Sequence, residues 1–190
     1  HDDRSSLHLF CAIFTHAPAH EQARAVAGTW APNCDGYIGY SSTTDPDIGT
    51  VELPIRGREH YFNMFQKSRA IWKHLATHYV DPTLLQKYGA ATLLGRECIE
   101  SNSTRTSGPI RKRCGIHIEG RQYFDWFLLG GDDLYVRVAT LRQFLTSPEV
   151  SQPPDRPLYL GRPLRRTHNL VYNTGGSGYL LNARALAILM

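Results

Sequence analysis

Leu7 to Thr15 is a run of apolar and β-prone residues that predicts a buried strand. After a turn at Pro18, Ala19 to Trp30 carries Glu21, Gln22 and Arg24 among alanines, the composition of a helix. Short strand-forming pieces stand at Tyr37–Tyr40 and Thr50–Leu53, separated by the turn-rich residues 41–49. From Tyr61 to Tyr79 the positions of Phe65, Trp72, Leu75 and Tyr79, with Ser68 between, trace the stripe of an amphipathic helix that Pro82 closes. Periodicity is then lost over 83–122, where the polar run 101–109 and Arg111-Lys112-Arg113 predict a surface insertion. Tyr123 to Leu129, apolar apart from Asp125, has the pattern of a strand covered on both faces, and it leads straight into Gly130-Gly131-Asp132-Asp133. Thr140–Leu145 predicts a helix, Leu158–Leu160 a strand, and a Gly-rich turn at Gly175–Gly178 precedes a final helix over Ala183–Met190. Strands alternating with helices predict an α/β fold, and 190 residues suffice for one such domain, 1–190.

Composition narrows the function classes. At 42% hydrophobic and 20% charged residues the chain is neither disordered nor fibrous. A net charge of +4, spread without an aromatic-flanked basic stripe, argues against a nucleic-acid partner. No apolar run approaches the roughly 18 to 20 residues of a membrane-spanning helix, so this segment is expected to be soluble. The start at His1 and the apolar last helix without a cap lead to the expectation that the sequence is a fragment.

Asp132 and Asp133 follow a buried strand on glycines, a placement at the carboxyl edge of a sheet, where ligands bind. Two hard oxygen donors there suit Mg²⁺ or Mn²⁺ bridging a diphosphate; a solvated Gly-Asp turn is the alternative. The four cysteines lack zinc-site spacing, and an even number beside the Asn102-Ser103-Thr104 sequon suits an oxidising, secretory compartment, although the tripeptide could also arise by chance. Of three connectivities, local loop closure favours Cys11 with Cys34 and Cys98 with Cys114. Trp30 and Trp72 are expected in the core, and His74 and His78 on one helix face.

The strand before Asp132-Asp133, then Tyr135-Val136, Tyr159-Leu160-Gly161-Arg162 and Tyr172-Asn173-Thr174-Gly175-Gly176-Ser177-Gly178-Tyr179 stand in an order that resembles the glycosyltransferase family of core 1 β1,3-galactosyltransferase and the Fringe enzymes. Thr29-Trp30 with Cys34, Gly57-Arg58-Glu59, Phe65-Gln66-Lys67-Ser68 and His78-Tyr79 echo the core 1 branch over residues 7–80 and 123–190. The resemblance implies a GT-A type nucleotide-sugar-binding fold, with a mostly parallel sheet flanked by helices. It implies Asp133 as the principal metal ligand, with Asp132 beside it and near the sugar or ribose. Arg24, which precedes Thr29-Trp30, would meet the diphosphate or uracil, or else is a solvated helix residue. Gly175, Gly176 and Gly178 would let the backbone approach the sugars and Tyr179 would stack on one, unless the segment is an ordinary turn. The family pattern has three acidic positions, and Gly131 stands at the first.

The activity implied is inverting transfer of galactose from UDP-galactose, with Mn²⁺ or a similar cation, to N-acetylgalactosamine on Ser or Thr of a glycoprotein. The implied setting is the Golgi lumen, reached through an N-terminal membrane anchor outside these residues, and a homodimer is compatible with it. The general base and a late metal-binding His are expected beyond Met190, so no catalytic residue is assigned. Asp125, Asp155 and Glu119 would be tested only if residues 1–190 alone proved active. Alternatives are a non-catalytic chaperone-like relative, which Gly131 favours, and a Fringe-like transferase using UDP-N-acetylglucosamine.

Overall fold

A computed structural model describes residues 7–53, 55, 57, 60–88, 123–153, 155–167 and 170–190. The strands are β1 (Leu9–Phe14), β2 (Gly36–Ser41), β3 (Thr50–Glu52), β4 (Trp126–Gly131), β5 (Tyr159–Gly161), β6 (Pro163–Thr167), β7 (Leu170–Asn173) and β8 (Tyr179–Asn182). The helices are α1 (His20–Gly28), α2 (Met64–Tyr79), α3 (Pro82–Lys87), α4 (Val138–Leu145), α5 (Pro148–Ser151) and α6 (Ala183–Leu189). One six-stranded sheet runs β3-β2-β1-β4-β8-β5, and β6 and β7 form a separate ribbon. The pairs β3–β2, β2–β1 and β1–β4 are parallel, whereas β8 lies antiparallel to both β4 and β5. This is the α/β architecture, mostly parallel and flanked by helices, of a GT-A-type fold.

Alternation along the strands explains their continuous apolar runs. Phe10, Ala12, Phe127, Leu129 and Leu181 face α2, α3 and α6. Leu9, Cys11, Ile13, Trp126, Leu128 and Leu180 face α1, α4 and α5. Both faces are covered, so every position wants an apolar side chain. Phe127, Leu129, Ile71, Leu75 and Leu186 are fully buried, and such side chains contribute about 1.5–3 kcal/mol each.

Several elements differ from expectation. The core stripe of α2 is Lys67, Ile71, Trp72, Leu75 and Ala76, while Phe65 is 74% exposed. The buried stripe is rotated toward Lys67 and Ile71, which the expected stripe of Phe65, Ser68, Trp72, Leu75 and Tyr79 did not include. Pro82 does end α2, yet it also begins α3 at the position where a proline's missing N–H costs nothing. Leu85 of that helix is fully buried, so the first residues of the stretch expected as a surface excursion belong to the core. The remainder, 89–122, with Cys98, Cys114 and the Asn102 sequon, lies outside the described residues. The Gly-rich turn leads into β8 before the final helix, because Tyr179–Asn182 completes the sheet between β4 and β5. The β6–β7 ribbon was not expected, since Arg165 and Arg166 break its apolar alternation. Cys11 and Cys34 form the expected disulfide, joining β1 to the turn before β2.

His74 and His78 share a face of α2, with ring centroids 4.3 Å apart, and His74 Nδ1 lies 2.9 Å from the Tyr40 hydroxyl. Burial, reinforced by His78, lowers the His74 pKa from 6.5 to about 4. The unfolded chain therefore binds more protons between these values, so the stability His74 contributes is complete above pH 6.5 and is lost as pH falls towards 4. We expect urea denaturation to give about 2 kcal/mol less stability at about pH 5 than at about pH 7.5. His74→Gln should flatten that dependence.

Candidate active site at the sheet edge

β1, β2 and β4 end side by side at Phe14, Ser41 and Gly131. Because β8 runs the other way, its first residue, Tyr179, pairs with Leu129 and joins the same edge. The topology thus gathers Thr15, Ser41, Asp132, Asp133 and the Gly175–Tyr179 turn where ligands bind open α/β sheets.

Thr15 is the hub of this edge. It is 4% exposed, its N–H donates to the Tyr40 carbonyl, and its hydroxyl donates to Asp132 Oδ2 at 2.6 Å. The Thr15 carbonyl accepts from Lys67 Nζ, delivered by α2. Burial lowers the Lys67 ammonium from 10.5 to about 8, while the Asp132 charge works in the opposite direction. Tyr37 also feels this carboxylate: burial first, then Asp132, pushes its phenol up to about 12.

Asp133 has a different environment. It is exposed, and its Oδ1 lies 2.6 Å from the place a Cβ on Gly131 would occupy. The space that a side chain at 131 would need is therefore used by the Asp133 carboxylate. The turn behind it is tied down, since Trp30 Nε1 donates to the Leu134 carbonyl at 2.9 Å. Leu134 covers Gly130 and Gly178, where added Cβ atoms would come within 2.5 and 2.8 Å of its Cδ2. That side chain locks the Asp turn to the Gly-rich turn.

Tyr179 is half-buried. Its hydroxyl accepts from Trp72 Nε1 at 3.2 Å, its ring meets Tyr159 edge-on at 5.6 Å, and burial raises its pKa. Both tyrosines and Trp72 line a cavity of about 800 Å³, with Phe65, Arg69 and Lys73 on its α2 wall.

No protein-family model matches the chain. Aligned over 182 residues, it is 25% identical to glycoprotein-N-acetylgalactosamine 3-beta-galactosyltransferase 1 of Xenopus laevis. The chain is distantly related to the core 1 β1,3-galactosyltransferases. The alignment takes in 94% of this chain and 37% of the Xenopus protein, so the chain spans little more than a third of that galactosyltransferase.

The residues expected at a galactosyltransferase donor site divide in space. Asp132, Asp133, Gly178 and Tyr179 meet at the edge. Gly175 and Gly176 lie in the open part of their turn, with nothing within 4 Å of an added Cβ. Arg24 sits on the exposed side of α1 and makes no hydrogen bond or ion pair among the described residues. Trp30 and Trp72 are 2% and 4% exposed, as expected of core residues, yet each also serves the edge, one through Leu134 and the other through Tyr179. Asp125 accepts from the His8 N–H at the opposite end of β4, and Asp155 pairs with Arg184.

Thr15 and the His20–Ser41–Asp45 cluster were not anticipated, and Lys67 was matched within Phe65-Gln66-Lys67-Ser68 with no role assigned. His20 Nε2 lies 2.7 Å from Ser41 Oγ, and its Nδ1 lies 3.7 Å from Asp45 Oδ2. The trace of Lys67 in the sequence is its place in Phe65-Gln66-Lys67-Ser68.

Among the described residues no three His, Cys, Asp or Glu side chains converge as a metal cage. The donors present still fit a hard divalent cation of the kind held by one or two carboxylates, with diphosphate and water completing the shell. The exposed Asp133 suits that role, whereas one Asp132 oxygen is already taken by Thr15.

Proposed function

We propose that this chain is the nucleotide-sugar-binding part of an inverting glycosyltransferase that moves galactose from UDP-galactose to N-acetylgalactosamine on Ser or Thr of glycoproteins, in β1,3 linkage. The observation that carries the reading is the meeting of the Asp132-Asp133 turn and the Gly178-Tyr179 turn at one carboxyl edge, set by the register of Leu129 with Tyr179. The distant kinship with a galactosyltransferase supports it.

Asp133 would hold a divalent cation, Mn²⁺ or similar, against the UDP diphosphate, with Asp132 beside it. Such a cation supplies charge neutralisation as UDP departs. Tyr179, Tyr159 and Trp72 give the neighbouring cavity aromatic walls that suit the acceptor sugar, and Arg69 and Lys73 give it a polar rim. A secretory setting, in the Golgi lumen with a separate membrane anchor, is supported by the Cys11–Cys34 disulfide. No helix among the described residues is long and apolar enough to cross a membrane.

Calorimetry of the full-length protein with UDP tests the donor side. Binding is expected with Mn²⁺ and is expected to fall by about 100-fold or more in chelator, because the diphosphate then meets uncompensated carboxylates. Equal affinity with and without the cation would instead point to a non-catalytic relative. Transfer from radiolabelled UDP-galactose to a GalNAc-Thr peptide tests the acceptor side, and turnover with UDP-N-acetylglucosamine instead would reassign the donor.

A further inference from the structure

Asp132 and Asp133 are neighbours in sequence and differ in burial and in hydrogen bonding. Asp133 is exposed. Asp132 is half-buried and accepts a 2.6 Å hydrogen bond from a threonine that is itself 4% exposed. The same threonine accepts, at its carbonyl, a hydrogen bond from Lys67, whose side chain is 5% exposed. Thr15 thus lies between a cation and a carboxylate, and links three elements that are distant in sequence: α2, the end of β1 and the turn after β4.

We propose that Lys67 and Thr15 form a brace that fixes Asp132, making Lys67 and Asp132 positioning residues for the turn that presents Asp133 to ligand. A buried ammonium is costly unless it is hydrogen-bonded and faces negative charge, and Asp132 supplies that charge to Lys67. A carboxylate held by a buried hydroxyl has lost the freedom to swing toward a cation, whereas its exposed neighbour keeps that freedom. Gly131 belongs to the same arrangement: with no side chain there, Asp133 folds back over the end of β4. The brace has no part that must react. It sets where the ligand-facing carboxylate stands.

This inference rests on the reading of the edge as a cation and diphosphate site, and its test separates the two. The first measurement uses metal-free, full-length protein and a double-mutant cycle of Lys67→Met and Asp132→Asn, read as the folding equilibrium in urea. Lys67→Met alone removes a positive charge that faces Asp132, and Asp132→Asn alone removes a negative charge that faces Lys67. The double variant removes both charges and is expected to recover about fivefold or more in the folding constant relative to the sum of the single losses. No coupling would overturn the brace, whether or not the protein binds UDP.

The second measurement titrates Mn²⁺ and UDP, following the Mn²⁺ electron-paramagnetic-resonance signal. Asp132→Asn is expected to keep the cation requirement with a loss of about 10- to 100-fold, as for a group acting through another, and Asp133→Asn to abolish it. Lys67→Met should weaken Mn²⁺–UDP binding and alter the bound Mn²⁺ spectrum, and Lys67→Arg should restore both. Equal loss of the cation requirement in Asp132→Asn and Asp133→Asn, or a Lys67→Met spectrum identical to wild type, would overturn the proposal. If wild type shows no Mn²⁺-dependent UDP binding, the donor-site reading falls and the metal-free cycle alone decides the brace.

Discussion

Gly178→Val is expected to cost about 3–5 kcal/mol, combining the strain of a β-branched residue in left-handed backbone with overpacking. Gly178 has φ +69°, and an added Cβ would sit 2.8 Å from Leu134 Cδ2, 3.4 Å from Leu128 Cδ1 and 3.5 Å from the Leu129 carbonyl oxygen. Leu134 cannot retreat freely, because it also covers Gly130 and its carbonyl is held by Trp30. The damage should therefore spread to the Asp turn and weaken ligand binding together with stability. Gly176→Ala is the comparison: it meets open space at a position without positive φ, and a change within about 0.5 kcal/mol is expected. Denaturant titration of both variants checks the pair, and similar losses would refute the packing argument.

Trp72→Ala is expected to destabilise by about 3–5 kcal/mol, the usual cost of deleting a buried indole. Trp72 is 4% exposed among Ile71, Leu75 and the sheet, and it supplies the donor to the Tyr179 hydroxyl. The loss would enlarge the cavity and remove one hydrogen-bond partner of the Tyr179 hydroxyl, which Ser68 also contacts. Trp72→Phe keeps most of the packing and removes the N–H, so about 1–2 kcal/mol should be lost. Urea midpoints measure the stability of the two variants, and acceptor-peptide affinity should fall in both. A Phe variant that binds acceptor as wild type does would show that the Tyr179 hydroxyl needs no anchor.

How much of this was legible in the sequence depended on what set each feature. β1 and β4 were plain because both of their faces are buried, which writes an unbroken apolar run into the chain. The Asp pair was plain because it follows such a run on glycines. β8 was not, since Tyr179-Leu180-Leu181-Asn182 passes into an apolar helix without a break in composition, and only pairing with β4 and β5 makes it a strand. Phe65 was placed in the core by its spacing and stands exposed because α2 turns the Lys67–Ile71–Leu75 side inward. Lys67 stood in the Phe65-Gln66-Lys67-Ser68 match without a role, because lysine on a helix normally faces water and Thr15, whose carbonyl it meets, is fifty-two residues away. The three glycines of the turn formed one motif in the sequence, whereas contact distances single out Gly178.

The strand order β3-β2-β1-β4-β8-β5 also bears on how the chain matures during synthesis. Among the described residues, four parallel strands, β1 to β4, can pair as soon as residue 131 has emerged, and the far edge of β4 still awaits β8. β5 emerges next, and its partner in the sheet among the described residues, β8, follows it. Until residues 179–182 arrive, the apolar strand Trp126–Gly131 is an open template for foreign strands. The nascent protein thus passes through an interval in which a folding helper in its compartment would act best by shielding β4, and the closing of that interval coincides with the assembly of the ligand edge itself.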